Sequence, residues 1–263
     1  MASGLVPTVL TDLIGHDWTT DADEVMPVAD ATLLAPHPTP PRNVMCIGKN
    51  YREHAAEFAG SGFDRSDQAG DEEEFPFVVF SKPWTSIVGP TEAIKFDPEV
   101  TLAIDYEVEL AVIVGTEGRN IEPEDALQHV FGYTIVNDVT ARDLQQKHRQ
   151  WYVGKSLDTF CPMGPVVVTA DSLDVSNLEL RTHVNGELRQ KGTTADLIYD
   201  VADIIARLSR TMTLLPGDVI ATGTPAGVGI GFDPPRFLCD GDVVEVAIAG
   251  IGQFESRVRS TRR

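Results

Sequence analysis

The segment TLAIDYEVELAVIVG, residues 101–115, decides how the rest of the chain is read. Acidic and apolar residues alternate along it with a period of two, the side-chain period of a β-strand. One face carries Ile104, Tyr106, Val108, Leu110 and Val112 as a core-facing set. The other carries Asp105, Glu107 and Glu109 and turns apolar again at Ala111 and Ile113. Carboxylates two apart on one strand face stand about 6 to 7 Å from each other. Their repulsion is relieved either by water, on a half-exposed antiparallel strand, or by one hard cation gripped between them. The segment by itself leaves both readings open.

Outward from it, VMCIG (44–48), FPFVVF (75–80), FGYTIVND (131–138), GPVVVTA (164–170) and DVVEVAI (242–248) are further β-rich runs. KNYREHAAEF (49–58) has a helical pattern. TTADLIYDVADIIARLSR (193–210) reads as the one long amphipathic helix, with Leu197, Val201, Ile204, Ile205 and Leu208 at helical spacing, Thr193 or Thr194 as its cap, and PGD (216–218) turning the chain after it. The fold class expected is therefore α+β and strand-dominated. Pro36, Pro38, Pro40 and Pro41 interrupt any helix or central strand. They mark a linker that sets a small β-rich N-terminal extension, residues 1–41, apart from the main body, residues 42–263. The Gly-rich acidic stretch 59–74 lacks periodicity and reads as a mobile loop, and RVRSTRR (257–263) as a frayed end.

Composition narrows the function class. A formal charge of −19 with 40 acidic residues opposes binding to a phosphate backbone, which needs clustered Lys and Arg, so no nucleic-acid partner is expected. Cys46, Cys161 and Cys239 are odd in number and far apart, and are expected as buried free thiols. No apolar run reaches the length of a membrane span and no secretory pattern opens the chain, so no membrane partner and a cytoplasmic location are expected.

The chemistry-bearing residues cluster in a few segments. His54 and Glu57, three apart in NYREHAAE, share a helix face; a carboxylate beside imidazole fixes its tautomer and favours proton transfer, although such a pair is also a common surface contact. Asp138 stands where an apolar strand turns polar. Either it caps the following turn, or it joins Glu107 and Glu109 in a three-oxygen site of the kind Mg²⁺ or Mn²⁺ accepts. Lys155 in WYVGKSLDTF balances such a site, binds an anionic substrate, or is simply exposed. ATGTPAGVGIG (221–231) brings backbone N–H groups close to a small anion or makes a tight connection, and it matches no phosphate loop.

In order and wording, CIGKNYREHAAE, FSKPWTSIVGP, DYEVELAVIVG, GYTIVNDVTARDLQ, GKSLDTFCPMGP and MTLLPGDVIATGTPAGVG followed by GDVVEV resemble the fumarylacetoacetate hydrolase superfamily, over about residues 43–250. The resemblance implies a mixed, rolled β-structure, a homodimer, and Mg²⁺ or Mn²⁺ held by Glu107, Glu109 and Asp138. It also implies Lys155 beside the metal, Gln145 and Thr224 on the substrate, and His54 with Glu57 as a dyad on a lid; Gly60, Gly62 and Gly70 make closure of residues 58–75 an expectation of its own. Asp105 matches no ligand position. Family members act on small 2-oxo acids through a shared enolate. The expectation drawn from the dyad is a Mg/Mn-dependent hydrolase that cleaves a C–C bond of a 2,4-dioxo acid, of the acylpyruvate or diketo-deoxy sugar acid type. Oxaloacetate decarboxylation and dienedioate isomerisation are the alternatives.

Overall fold

The computed structural model describes residues 32–62, 76–148 and 150–262. The N-terminal extension up to residue 31 and most of the expected lid, residues 63–75, lie outside the described residues. Fourteen strands are described: β1 Val44–Gly48, β2 Val78–Lys82, β3 Ile87–Val88, β4 Ile94–Phe96, β5 Ile104–Asp105, β6 Val108–Val114, β7 Val130–Asn137, β8 Thr140–Ala141, β9 Cys161–Thr169, β10 Glu179–Val184, β11 Glu187–Thr193, β12 Val219–Ala221, β13 Val243–Ile248 and β14 Gly252–Ser260. The helices are α1 Arg52–Gly60, α2 Arg142–Lys147, α3 Tyr152–Lys155 and α4 Val201–Thr211, with short 3₁₀ turns between elements.

Seven strands form one mixed sheet in the order β2-β1-β12-β6-β7-β9-β3, and five form a second in the order β11-β10-β13-β14-β4. Most pairings are antiparallel, while β1–β12, β3–β9 and β4–β14 run parallel. The two faces of β6 show how the sheets pack. Val108, Leu110, Val112 and Val114 join Leu180, Val244, Val246 and Phe254 of the second sheet and Ile204, Ile205 and Leu208 of α4 in the main core. Ala111 and Ile113 join Val44, Cys46, Val136, Cys161, Met163 and Val219 on the other face of the same seven-stranded sheet, which is rolled far enough to bring Lys82 of edge strand β2 within 2.8 Å of Asp138 beyond β7. The strand-dominated α+β class, mixed and rolled, is the one the sequence predicts.

Local departures from the sequence reading have physical causes. Residues 104–114 are not one strand: β5 and β6 are separated at Tyr106 and Glu107, where the Glu107 N–H is met by the Asn137 side chain at 3.0 Å. Every residue from Ala103 to Val114 is buried, so no solvated acidic face exists. The long helix begins at Val201, not near Thr193. Asp200 caps it by accepting from the Asp203 N–H, whereas Thr193 ends β11 and Thr194 accepts from the Leu178 N–H. Thr193 does cap, but only the 3₁₀ turn over residues 194–196, accepting from the Ala195 N–H, so the start of the long helix falls to the next side chain with a free N3 donor, Asp200. The basic tail is not frayed at its start, since β14 runs to Ser260 between β13 and β4. The proline segment is packed down through His37, fully buried with Nε2 2.8 Å from the Gly217 carbonyl. Cys46 and Cys161 are buried as expected and Cys239 is exposed. Among the described residues no helix is long and apolar enough to cross a membrane.

Candidate metal centre and its cleft

The carboxyl ends of β1, β12 and β7 converge with the start of β6, because β6 is antiparallel to both of its neighbours. Glu107 enters from the break just before β6, Glu109 from β6 and Asp138 from just beyond β7, and the Asp138 N–H donates to the Glu107 carbonyl at 2.8 Å. The three carboxylates each offer an oxygen within 4.8 Å of one another, and all are buried. Asp105 is not among them. It accepts from the N–H groups of Gly229 at 2.6 Å and Ile230 at 3.2 Å and pairs with Arg142 Nε at 2.9 Å.

Cations surround the trio unevenly. Lys155 Nζ bridges Glu107 at 2.8 Å and Asp138 at 2.7 Å; Arg142 Nη2 lies 2.7 Å from Glu107. Lys82 Nζ stands 2.8 Å from Asp138 Oδ1, off the angle for a directed hydrogen bond, so that oxygen keeps a lone pair. Burial alone would raise the Glu107 carboxyl, but Lys155 and then Arg142 hold it down at about 2. Glu109 contacts no cation among the described residues; its Oε2 accepts only the Gly223 N–H at 2.9 Å. Burial, followed by the charges of Asp138 and Glu107, pushes its carboxyl well above the usual range. Four buried carboxylates thus face three cations, Lys82, Lys155 and Arg142, and the surplus falls on Glu109. A buried carboxylate without a counter-ion is costly, and an all-oxygen donor set suits a hard divalent cation. These residues fit a metal of that kind.

A cleft of about 300 Å³, counted with its open mouth, lies over the trio. Its walls include His54, Phe58, Phe80, Gln145, Trp151, Lys155 and Thr224. The expected dyad is present on α1: His54 Nδ1 is 3.2 Å from Glu57 Oε2, and the Gly227 N–H donates to the same carboxylate at 3.0 Å. The pair is too enclosed for an ordinary surface contact, with His54 only 8% and Glu57 16% exposed at the side chain. Gln145 accepts from Arg142 Nη1 at 3.0 Å. Every candidate site residue read from the sequence therefore lies at this cleft or hydrogen-bonds to a residue that does. Lys82, Arg142 and the Asp105 contact to the 229–231 turn were missed. A lysine ending the apolar run VVFSK and an arginine next to the RDLQ glutamine were the available signals.

The 229–231 turn also touches the dyad, because a Cβ added at Gly231 would overlap the Glu57 carboxylate. Gly231→Ala is expected to shift Glu57 off the Gly227 N–H and lower kcat by up to about a hundredfold, the cost of an ångström-scale misplacement. Manganese titration should show metal affinity unchanged; a normal kcat would show that Glu57 does not need this seat.

The family model for the fumarylacetoacetate hydrolase C-terminal region matches residues 43–259. The chain belongs to the fumarylacetoacetate hydrolase family. Among curated proteins it is 48% identical over 232 residues to the oxaloacetate tautomerase YisK of Bacillus subtilis, covering 88% of this chain and 74% of that one. It is 42% identical over 237 residues to the mitochondrial oxaloacetate tautomerase FAHD2A of Homo sapiens, covering 89% and 71%. Among solved structures, a fumarylacetoacetate hydrolase from Exiguobacterium antarcticum superposes with a TM-score of 0.84 at 50% identity, over 96% of this chain and 88% of that one. A 2-hydroxyhepta-2,4-diene-1,7-dioate isomerase from Mycobacterium marinum does so with 0.75 at 39% identity, over 90% and 81%. As a member of this family the chain is an enzyme of small molecules.

Proposed function

We propose that this fumarylacetoacetate hydrolase family member interconverts the keto and enol forms of a small 2-oxo dicarboxylic acid, with oxaloacetate as the leading substrate. The observation that carries the reading is a juxtaposition: an imidazole tied through Nδ1 to Glu57 lines the same cleft as the three buried carboxylates and Lys155. Mg²⁺ or Mn²⁺ held by Glu107, Glu109 and Asp138 supplies Lewis-acid stabilisation of the negative charge that develops on the 2-oxo oxygen. The chain's own residues do the rest. Nε2 of His54 takes the proton from C3 while the C–H electron pair becomes the C2–C3 double bond. Glu57 steadies the imidazolium, and the 2-oxo oxygen takes up a proton. Gln145 and Thr224 hold the substrate carboxylate. Phe58, Phe80 and Trp151 narrow the water around it.

Tautomerisation needs one proton-transfer group facing one oxyanion-stabilising set, and the cleft contains both. The Bacillus and human relatives, both named as oxaloacetate tautomerases, agree with it. C–C hydrolysis of an acylpyruvate is the second reading, favoured by the greater exposure of Glu57, which lets water reach the dyad. The homodimer and the cytoplasmic setting expected from the sequence belong to this proposal too. The test is a panel with added Mg²⁺ or Mn²⁺: loss of enol oxaloacetate by ultraviolet absorbance, pyruvate formation from oxaloacetate, and acetate formation from acetylpyruvate. The first is expected to be fastest and abolished by EDTA. Rapid acetate release with no effect on the enol would move the assignment to hydrolysis.

A further inference from the structure

Gln190 belongs to β11 of the five-stranded sheet and is fully buried, yet its amide ends on a loop of the other sheet. Nε2 donates to the Pro225 carbonyl at 2.8 Å and to Thr224 Oγ1 at 2.8 Å. Oε1 accepts from the Val108 N–H at 3.2 Å and the Thr182 hydroxyl at 2.8 Å. Two of these partners are backbone groups of fixed polarity: an N–H can only donate and a carbonyl can only accept. They set the amide the right way round without reference to either hydroxyl. Both Nε2 hydrogens are then committed, and Thr224 Oγ1 is an acceptor toward the protein interior. Among the described residues no acceptor meets its own O–H, and Thr224 lines the cleft over the carboxylate trio. Its remaining hydrogen is therefore the one available to a ligand.

We infer that Gln190 is a positioning residue that makes Thr224 a one-way hydrogen-bond donor into the cleft, selecting a ligand that presents an anionic oxygen there. The inference rests on the reading of the cleft as a 2-oxo acid site and names what Thr224 recognises: the substrate carboxylate. A neutral hydroxyl or carbonyl gains less, because a hydrogen bond to a charged acceptor is worth about twice a neutral one. Glutamate at this position keeps the shape of the side chain but turns the donor into an acceptor. Thr224 would then spend its hydrogen on the protein and meet the ligand lone pair to lone pair.

The experiment is a double-mutant cycle read by calorimetry, with oxalate as the probe in the presence of Mn²⁺. Wild type is expected to bind oxalate. Gln190→Glu should weaken oxalate by about ten- to a hundredfold, the value of a hydrogen bond to a charged group, with Mn²⁺ affinity unchanged. In a Thr224→Val background the same substitution should cost little more, because its effect runs through the hydroxyl. An equal loss in both backgrounds, as simple charge repulsion would give, or no loss in either, overturns the inference. Gln190→Met, which adds no charge, is expected to show a smaller loss that also vanishes with Thr224→Val. It decides the question if the glutamate variant does not fold. Failure of the wild type to bind oxalate at all overturns the reading of the cleft itself, a result distinguishable from every outcome above.

Discussion

Glu109→Ala is expected to abolish divalent-metal binding and with it essentially all turnover, while leaving the metal-free protein as stable as the parent or more so. Both halves follow from the uneven charge around the trio. Glu107 and Asp138 are locked by Lys155, Arg142 and Lys82, whereas Glu109 has one backbone donor and no cation among the described residues. Deleting it removes a third of the oxygen ligands. The affinity loss should exceed the ten- to hundredfold that follows from disturbing a ligand's outer partner alone. It also removes the carboxyl that burial, and then the charges of Asp138 and Glu107, push upward. Glu107→Ala is expected to behave differently. It takes one of two carboxylate partners from each of the buried cations, leaving Lys155 on Asp138 and Arg142 on Asp105, and breaking a buried pair costs up to about 3–5 kcal/mol. Metal analysis of the purified Glu109 variant, a Mn²⁺ titration and denaturant melts of both metal-free variants check the pair of expectations. Full metal occupancy in Glu109→Ala would refute the assignment of this carboxylate as a ligand.

The contrast between these two glutamates shows what sequence could and could not convey. Alternation along β6 was legible because one face must meet the second sheet, and Leu110 and Val112 could not be placed otherwise. That Glu109 heads a column continuing into Ala111 and Ile113 was legible for the same reason. The interruption at Tyr106 and Glu107 was not, since it depends on Asn137 supplying a side-chain acceptor across the sheet. Nor was the part played by Asp105, which had the right spacing for a ligand but was claimed by Arg142 and two backbone N–H groups from residues more than a hundred positions away. Lys82 was hidden by the roll. It lies on the edge strand β2, and only curvature of the sheet brings it to Asp138 and the Val139 carbonyl. The start of α4 was misplaced because periodicity counts Leu197 as a helical position. That residue instead bridges to Tyr51 in an isolated β-contact, leaving Asp200 to cap the helix.

His54→Ala is expected to lower kcat by about 10²- to 10⁴-fold, the range contributed by a positioned general base, with Mn²⁺ affinity within a few-fold of the parent. The separation is possible because His54 reaches the cleft from α1, whereas the three carboxylates come from the start of β6, the residue before it, and the end of β7. Glu57→Gln should fall short of that loss. The amide still occupies the seat beneath the Gly227 N–H, but it no longer balances a protonated imidazole. The ordering of the two variants also separates the reactions. If His54 only moves a proton at C3, its loss should depress enol formation from oxaloacetate and any acylpyruvate cleavage by different factors, because cleavage additionally needs an attacking water. If His54 chiefly activates water, acetate release should collapse while tautomerisation survives. Solvent-deuterium incorporation at C3 of oxaloacetate, measured in both variants and the parent, reads the proton step directly. Exchange at the parental rate in His54→Ala would remove this residue from the proton path and pass the role to another titratable group of the cleft, among the described residues Lys49, Lys155 or Glu109.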